Sequence, residues 1–228
     1  MTCAAPHQSP TPSTEVRPNL GHRGFYRGTL LPKFCAWSEA NPELDLARQR
    51  AVEYATGHVL ELGSGIGSTL DLYPHEITSL TTVDPNPALN ARLRRRMRHL
   101  PFPTDVREGV AEQLPVKSAA FDTVVSVFAL GAVDDLTGAL GEIRRVLKPG
   151  GRLLVAELAF DADPVVARRQ QRLTAVRAFL GGGYRLLGTL APELEAAGLH
   201  AQRLDVRSLA RHAGLLGTLL EALAVRAP

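Results

Sequence analysis

Segment 59–67 reads VLELGSGIG, which joins an apolar strand pattern to an acid and to glycines at every second position. Glycine permits sharp turns and lets a ligand approach the backbone without meeting a Cβ atom. At the carboxyl end of the first strand of an α/β sheet, this pattern predicts a ligand-binding crevice. The spacing is G-x-G-x-G, and Ser68 stands where a dinucleotide fingerprint has its last glycine. The alternative is a plain strand–turn–helix corner.

Two acids add to this pattern. Glu61 lies just before the glycines, where a carboxylate suits a ligand with an ammonium group and would repel a pyrophosphate. Asp84 ends the next strand pattern, 21 residues after Gly63, where an acid typically accepts hydrogen bonds from ribose hydroxyls. Asp84 could also cap the helix that follows it.

A third segment, 108–115, reads EGVAEQLP and follows another strand pattern. In a doubly wound sheet this loop reaches the same crevice as the first two signals. The backbone at Val110 and Ala111 could contact an adenine edge, with Glu112 nearby. Taken alone, the segment could equally be an ordinary surface loop.

Alternating strand and helix patterns predict a parallel, doubly wound α/β sheet. Strands are expected at His58–Leu62, Ser79–Asp84, Thr104–Val110, Asp122–Phe128 and Arg152–Leu158. Helices are expected near Ile66–Leu72, Ala88–Leu100, Asp135–Leu147, Pro164–Leu180 and Pro192–Ala197. His200–Val206 fits a strand, and Leu215–Ala224 fits either a helix or a final strand.

Three parts are expected along the 228 residues. Residues 1–20 form a proline-rich, disordered tail, residues 21–56 a helical lid, and residues 57–228 the Rossmann-like domain. Asn41, Pro42 and Glu43 mark a helix start within the lid segment. Aromatic residues cluster before that helix, so this stretch could cover a ligand or could be an arm packed on the sheet.

Composition excludes several classes of function. The net charge is +3, and the arginines of segment 92–98 alternate with a buried apolar helix face, so no nucleic-acid partner is expected. Cys3 and Cys35 lack metal-type spacing, which argues against a zinc site or a disulfide framework and favours a cytoplasmic location. No metal is expected. No apolar run approaches the roughly 20 residues of a membrane span, and the N-terminus lacks a signal-peptide pattern.

From residue 57 to residue 158 these motifs resemble the class I S-adenosylmethionine-dependent methyltransferases of the "type 11" group. The resemblance rests on the glycine loop, Val83-Asp84, the AEQLP and FDTVV segments, and IRRVLKPGG at 143–151. A closer bacterial branch, similar to thiol methyltransferase-like proteins, is suggested by Tyr73-Pro74, by segment 84–87 and by Gly181 to Gly183. The resemblance implies a seven-stranded Rossmann-like fold and a soluble enzyme that methylates a small molecule and releases S-adenosylhomocysteine.

The resemblance also implies roles for individual residues. Ser126 and Phe128, at the end of the fourth strand, are expected near the sulfonium. The full set of expected cofactor-binding residues is Glu61, Gly63, Ser64, Gly65, Gly67, Asp84, Pro85, Asn86, Val110, Ala111, Glu112, Ser126 and Phe128. Substrate contacts are expected from Phe25, Tyr26, Trp37 and Tyr184. Candidate catalytic residues are His22, Tyr26 and Tyr184, and the oligomeric state is left open.

The chain departs from the branch on the acceptor side. Gly131-Ala132 stands where the branch tends to have Cys-Ser, and Glu157-Leu158 stands where it tends to have Glu-His. Two alternatives to methyl transfer to a thiol, amine or hydroxyl therefore stay open. One is other sulfonium chemistry, such as cyclisation or aminocarboxypropyl transfer that releases methylthioadenosine. The other is a non-catalytic module that binds S-adenosylmethionine.

Overall fold

The computed structural model describes residues 41–173, 184–209 and 218–228. The strands in these ranges are β1 (His58–Leu62), β2 (Ser79–Asp84), β3 (Thr104–Glu108), β4 (Phe121–Val127), β5 (Leu147–Ala159), β6 (Leu199–Ser208) and β7 (Thr218–Arg226). The helices are α1 (Pro42–Glu53), α2 (Pro87–Met97), α3 (Leu136–Val146), α4 (Pro164–Arg172) and α5 (Ala191–Ala196). Short 3₁₀ turns occupy Leu70–Leu72 and Leu130–Ala132.

The strands form one sheet in the order β3-β2-β1-β4-β5-β7-β6. β1 pairs in parallel with both β2 and β4, and β7 runs antiparallel to β5 and β6. The predicted Rossmann-like, seven-stranded fold class is confirmed, but the sheet is mixed rather than fully parallel. Segment 218–226 is apolar on both sides, which suits a strand between two others and settles the helix-or-strand alternative.

Two apolar layers cover the two faces of the sheet. Successive side chains of a strand pack into opposite layers, as those of Leu153 and Leu154 in β5 do. On one face α3 packs through Ile143 and its neighbours, and on the other face α1 and α2 pack through residues such as Leu44 and Leu93. Helices on both faces leave the carboxyl ends of the parallel strands exposed along one edge of the sheet.

The helix predicted at Ile66–Leu72 is wrong. Residues 65–69 form turns, and only the 3₁₀ turn Leu70–Leu72 follows them. Gly63, Gly65 and Gly67 adopt φ values of 62°, 54° and 84°, a left-handed conformation that a right-handed helix does not tolerate. No helix therefore begins directly after the glycines, and the Gly65 N–H donates to Asp84.

Of the predicted lid, the described part is residues 41–56. Asn41 caps α1 as expected, since its Oδ1 accepts the Glu43 N–H at 3.0 Å. α1 packs on the sheet through Leu44, Ala47 and Val52. The tail, the remainder of the lid and its four candidate residues (His22, Phe25, Tyr26 and Trp37) lie outside the described residues. No helix within the described ranges is both long and apolar enough to cross a membrane.

We expect Gly67→Ala to lower the free energy of unfolding by about 3 kcal/mol. Its φ is +84°, and an added Cβ would lie 2.7 Å from Leu70 and 2.8 Å from Leu93. Gly141→Ala is the matched control, because Gly141 is exposed within α3 and an added Cβ meets nothing within 4 Å. The control should gain up to about 1 kcal/mol from helix propensity. Urea unfolding of both variants measures the difference, and equal stabilities would contradict the strain at Gly67.

Candidate active site

A cavity of about 200 Å³ opens at the carboxyl ends of β1, β2 and β4. In the sheet, β2 lies on one side of β1 and β4 lies on the other side of β1. The strand order reverses between β1 and β4, and the cavity lies at this switch point. Twelve predicted site residues line it: Glu61, Gly63, Ser64, Gly65, Asp84, Pro85, Asn86, Val110, Ala111, Glu112, Phe128 and Tyr184.

Two expected cofactor residues do not line the cavity. Gly67 faces Leu70 and Leu93, so its lack of a Cβ serves the packing beneath the turn. Ser126 is fully buried in β4, one residue before the strand reaches the cavity at Val127. The glycine pattern and the end of β4 therefore predict the position of the cavity lining along the chain to within one residue. Which side chains face the cavity depends on the local turn and on the pleat of the strand.

Glu61, the penultimate residue of β1, has a buried carboxylate and lines the cavity. Its Oε1 accepts the Thr69 hydroxyl at 2.6 Å, and its Oε2 accepts the Tyr73 hydroxyl at 3.0 Å. Burial raises the pKa of Glu61 from its ordinary value of 4.5 to about 7, although these two hydrogen bonds lower the pKa in part. A buried acid of this kind favours a cationic partner, because such a partner offsets the cost of the buried charge.

Asp84 ends β2 and holds the loops on both sides of it. Its Oδ2 accepts the Gly65 N–H at 3.1 Å, and its Oδ1 accepts the Asn86 N–H at 2.8 Å. Asn86, not Asp84, caps α2, since its Oδ1 accepts the N–H groups of Ala88 and Leu89. The Asp84 carboxylate therefore stays at the wall of the cavity and ties the glycine turn to the next strand.

The loop after β3 is held by α3 and the turn before it. Glu112 accepts the N–H groups of Asp134 and Asp135 at 2.7 and 3.2 Å. Glu142 accepts the Leu114 N–H at 2.7 Å and pairs with Arg145. These contacts hold the loop in place and leave Val110 and Ala111 at the cavity wall.

A further part of the cavity lining is Phe128, which follows β4. Phe128 has a φ of 54°, an uncommon conformation for a bulky residue that often marks a functional site. Arg48 of α1 also lines the cavity, and its guanidinium carbon lies 5.5 Å from the centre of the Phe128 ring. Arg48 was not predicted as a site residue, since a single arginine in an amphipathic helix carries no local signal.

Tyr184 lines the cavity beside a second buried acid, Glu157, which the sequence analysis did not select. The Tyr184 hydroxyl donates to Glu157 Oε2 and accepts the Leu158 N–H at 3.2 Å. Burial raises the pKa of Glu157 from 4.5 to about 7, against hydrogen bonds from Tyr184, Leu130 and Ala129 that lower the pKa. The sequence signals for this group were a single acid within the apolar β5 run and its place in the Glu157-Leu158 departure from the branch.

The mixed seven-stranded sheet, with its cavity at the switch point and a buried acid at the end of β1, defines a Rossmann-like domain of the class I methyltransferase type. Residues 60–155 match the family described as "Methyltransferase domain". This match confirms the predicted resemblance to class I methyltransferases over residues 60–155.

Similar proteins carry several different names. The chain is 31% identical over 49% of its length to a phosphatidylethanolamine N-methyltransferase of Cereibacter sphaeroides, of which 56% is covered. It is 30% identical over 58% of its length to a human thiol S-methyltransferase, of which 56% is covered. The chain thus spans about half the length of the curated relatives it matches.

Among solved structures, a similar fold is that of a SAM-dependent methyltransferase of Thermotoga maritima, described as a possible histamine N-methyltransferase. Its TM-score is 0.66 at 22% identity, and the match covers 90% of this chain and all of the other. At this identity the likeness supports the fold alone.

We expect the ligand-free protein to lose stability as the pH rises from about 5 to about 8. Glu61 and Glu157 have pKa values raised to about 7 in the folded protein, so the folded state holds protons that the unfolded state releases above pH 4.5. Each carboxyl accounts for a loss of about 3 kcal/mol over this interval.

Glu61→Gln and Glu157→Gln should each reduce this pH dependence, and the exposed Glu53→Gln should leave it unchanged. Urea unfolding at the two ends of the interval measures the slope. A wild-type stability that is constant or rises across this interval would contradict the burial of charged carboxylates.

Proposed function

We propose that the chain binds S-adenosylmethionine in this cavity and transfers its methyl group to a thiol, hydroxyl or amine of a small molecule. The observation that carries the proposal is Glu61, a buried acid that lines the cavity within the methyltransferase domain. The amino-acid end of the cofactor has an ammonium group that would offset the cost of this buried carboxylate.

The residues around the cavity fit the other parts of the cofactor. Asp84 can accept hydrogen bonds from the ribose hydroxyls, although its oxygens also accept two backbone N–H groups. The backbone at Val110 and Ala111 would border the adenine. Gly63 allows close approach of the chain, because an added Cβ there would lie 2.7 Å from the Cβ of Ala129.

Bound S-adenosylmethionine supplies a methyl group on a sulfonium centre, which is already a good leaving group. The protein then has to hold the acceptor in line with that methyl group and to exclude water. Alignment of this kind supplies up to about 7–11 kcal/mol in favourable cases. Phe128 and Tyr184 form the wall at which an acceptor would lie.

The test is incubation of the protein with S-adenosylmethionine and a panel of small thiols, phenols and amines. S-adenosylhomocysteine and a methylated product that appear only with an acceptor would support the proposal. Methylthioadenosine formed without an acceptor would overturn it in favour of other sulfonium chemistry. Tight S-adenosylhomocysteine binding without turnover across the panel would instead indicate a binding module.

Cofactor affinity should rise with pH up to about 7 and then level off. The cationic ammonium favours the charged form of Glu61, whose pKa is raised to about 7 before binding, so binding at lower pH must release a proton. Titration calorimetry with S-adenosylhomocysteine in buffers of different ionisation enthalpy measures that release.

Glu61→Gln should weaken binding about 10- to 100-fold at neutral pH, the usual range for a lost charge-assisted hydrogen bond, and should remove the proton release. Glu76→Gln is the matched control, because Glu76 is exposed and outside the cavity lining. Unchanged affinity in Glu61→Gln would rule out Glu61 as the ammonium partner.

A further inference from the structure

Tyr184 contributes a hydrogen-bonded hydroxyl group beside the cavity. The residue is 9% exposed and lines the cavity. Its hydroxyl donates to Glu157 and accepts the Leu158 N–H at 3.2 Å, so its proton points towards the carboxylate. A phenolic oxygen can accept more than one hydrogen bond, and an acceptor in the cavity could therefore donate to this same oxygen.

The Glu157 carboxylate lies behind Tyr184 and is fully buried. Its Oε1 accepts the Ala129 and Leu130 N–H groups at 2.7 and 2.6 Å, and its Oε2 accepts the Tyr184 hydroxyl. These donors are neutral. A carboxylate held by neutral donors in a dry site keeps its affinity for a proton, which is what a general base requires.

The surrounding backbone fixes the ring of Tyr184. An added Cβ at Gly131 would lie 2.5 Å from the Tyr184 ring, so the glycine makes room for it. The Arg185 N–H donates to the Gly131 carbonyl at 2.7 Å, and the Leu187 N–H donates to the Leu158 carbonyl at 2.9 Å. The segment that carries Tyr184 is thus bonded to both β5 and the turn after β4. These bonds keep the Tyr184 hydroxyl within hydrogen-bonding distance of Glu157.

We propose that Tyr184 and Glu157 form a proton relay that deprotonates a hydroxyl or thiol acceptor, a proposal that rests on the proposed methyl transfer. The acceptor oxygen or sulfur forms a bond to the methyl carbon, and the carbon–sulfonium bond breaks with its electron pair passing to sulfur. The acceptor proton moves to the Tyr184 oxygen as the Tyr184 proton moves to Glu157 Oε2. Tyr184 is the catalytic residue, and Glu157 acts through it.

This relay narrows the acceptor class. A neutral amine attacks through its lone pair and loses its proton afterwards, so it gains little from a base during the transfer. A phenol or thiol is a much better nucleophile once deprotonated. The Tyr184–Glu157 pair therefore favours acceptors with an O–H or S–H group.

The relay requires Glu157 to be charged, so its pKa near 7 predicts that kcat rises as the pH passes through about 7. The neighbouring ionisable groups can be named for the described residues. Leu220 of β7 lies opposite Glu157 in the strand pair, and the next residue, Glu221, pairs with Arg50. Further charges at the cavity come from α1 (Arg48), β1 (Glu61), β2 (Asp84), the loop after β3 (Glu112) and the turn before α3 (Asp134).

The test uses Tyr184→Phe and Glu157→Gln in the full chain, with para-methylthiophenol, para-chlorothiophenol, para-methylphenol and para-chlorophenol as acceptors. Each methyl–chloro pair has nearly equal size but different acidity. Both variants should lower kcat about 100-fold for the phenols, the usual contribution of a general base. The loss should be smaller for the more acidic chloro compounds and should shrink at high pH, since those conditions supply the deprotonated acceptor.

Two controls separate this effect from damage to the fold. Tyr54→Phe changes an exposed tyrosine outside the cavity and should leave kcat unchanged. S-adenosylhomocysteine affinity, measured by calorimetry, should be unchanged in both relay variants. Independently of turnover, Tyr184→Phe should raise the pH at which Glu157 titrates in stability measurements, because it removes a hydrogen bond that lowers the pKa.

The outcomes are distinguishable. No methylated product from the wild-type protein with any panel acceptor would overturn the proposed function. Turnover that persists undiminished in Tyr184→Phe would overturn the relay alone. An equal loss for methyl and chloro acceptors at every pH would also overturn the relay, since it would indicate that Tyr184 only shapes the cavity.

Discussion

The buried carboxylate at the end of β1 constrains the structure around it. A charged group removed from water costs several kcal/mol unless hydrogen bonds compensate. Glu61 obtains that compensation from the hydroxyls of Thr69 and Tyr73, both of which follow the glycine turn. The chain must therefore double back within a few residues, and the left-handed glycines of segment 63–67 make this possible. The glycine loop and the acid before it act as one unit.

A similar arrangement recurs at the end of β5, two strands away in the sheet. Glu157 is compensated by the Ala129 and Leu130 N–H groups, which belong to the turn after β4, and by Tyr184. Because β4 lies between β1 and β5, its terminal turn contacts both acidic sites. Ala129 approaches Gly63 on one side and donates to Glu157 on the other. The strained backbone at Phe128 begins this turn, so its conformation affects both halves of the cavity.

The two buried acids, Glu61 and Glu157, lie in different surroundings. The first lies in β1 just before the glycine turn, where a cationic ligand group would offset its burial. The second lies behind a tyrosine, where neutral donors leave it able to take up a proton. α1 adds a positive charge through Arg48, whose guanidinium packs over Phe128 at the same cavity. Among the described residues, the cavity lining thus combines acids, the Arg48 cation and apolar surface, a mixture that is typical of small-molecule sites.

Local signals in the sequence determined the class of fold and the part of the cavity wall formed by the loops after β1, β2 and β3. The bounds of β1 and β2, the cap of α1 and the loops at 63–65, 84–86 and 110–112 follow from strand periodicity, capping chemistry and glycine spacing. Only the tertiary structure decided that β7 is an antiparallel strand between β5 and β6 and that turns replace the helix predicted from Ile66. It also decided that Glu157 pairs with Tyr184 and Arg48 with Phe128. Turn chemistry and side-chain periodicity act over a few residues, so the sequence displays them directly. The contacts between Glu157 and Tyr184 and between Arg48 and Phe128 join residues 27 and 80 positions apart, and they arise only when the sheet brings its strand ends together.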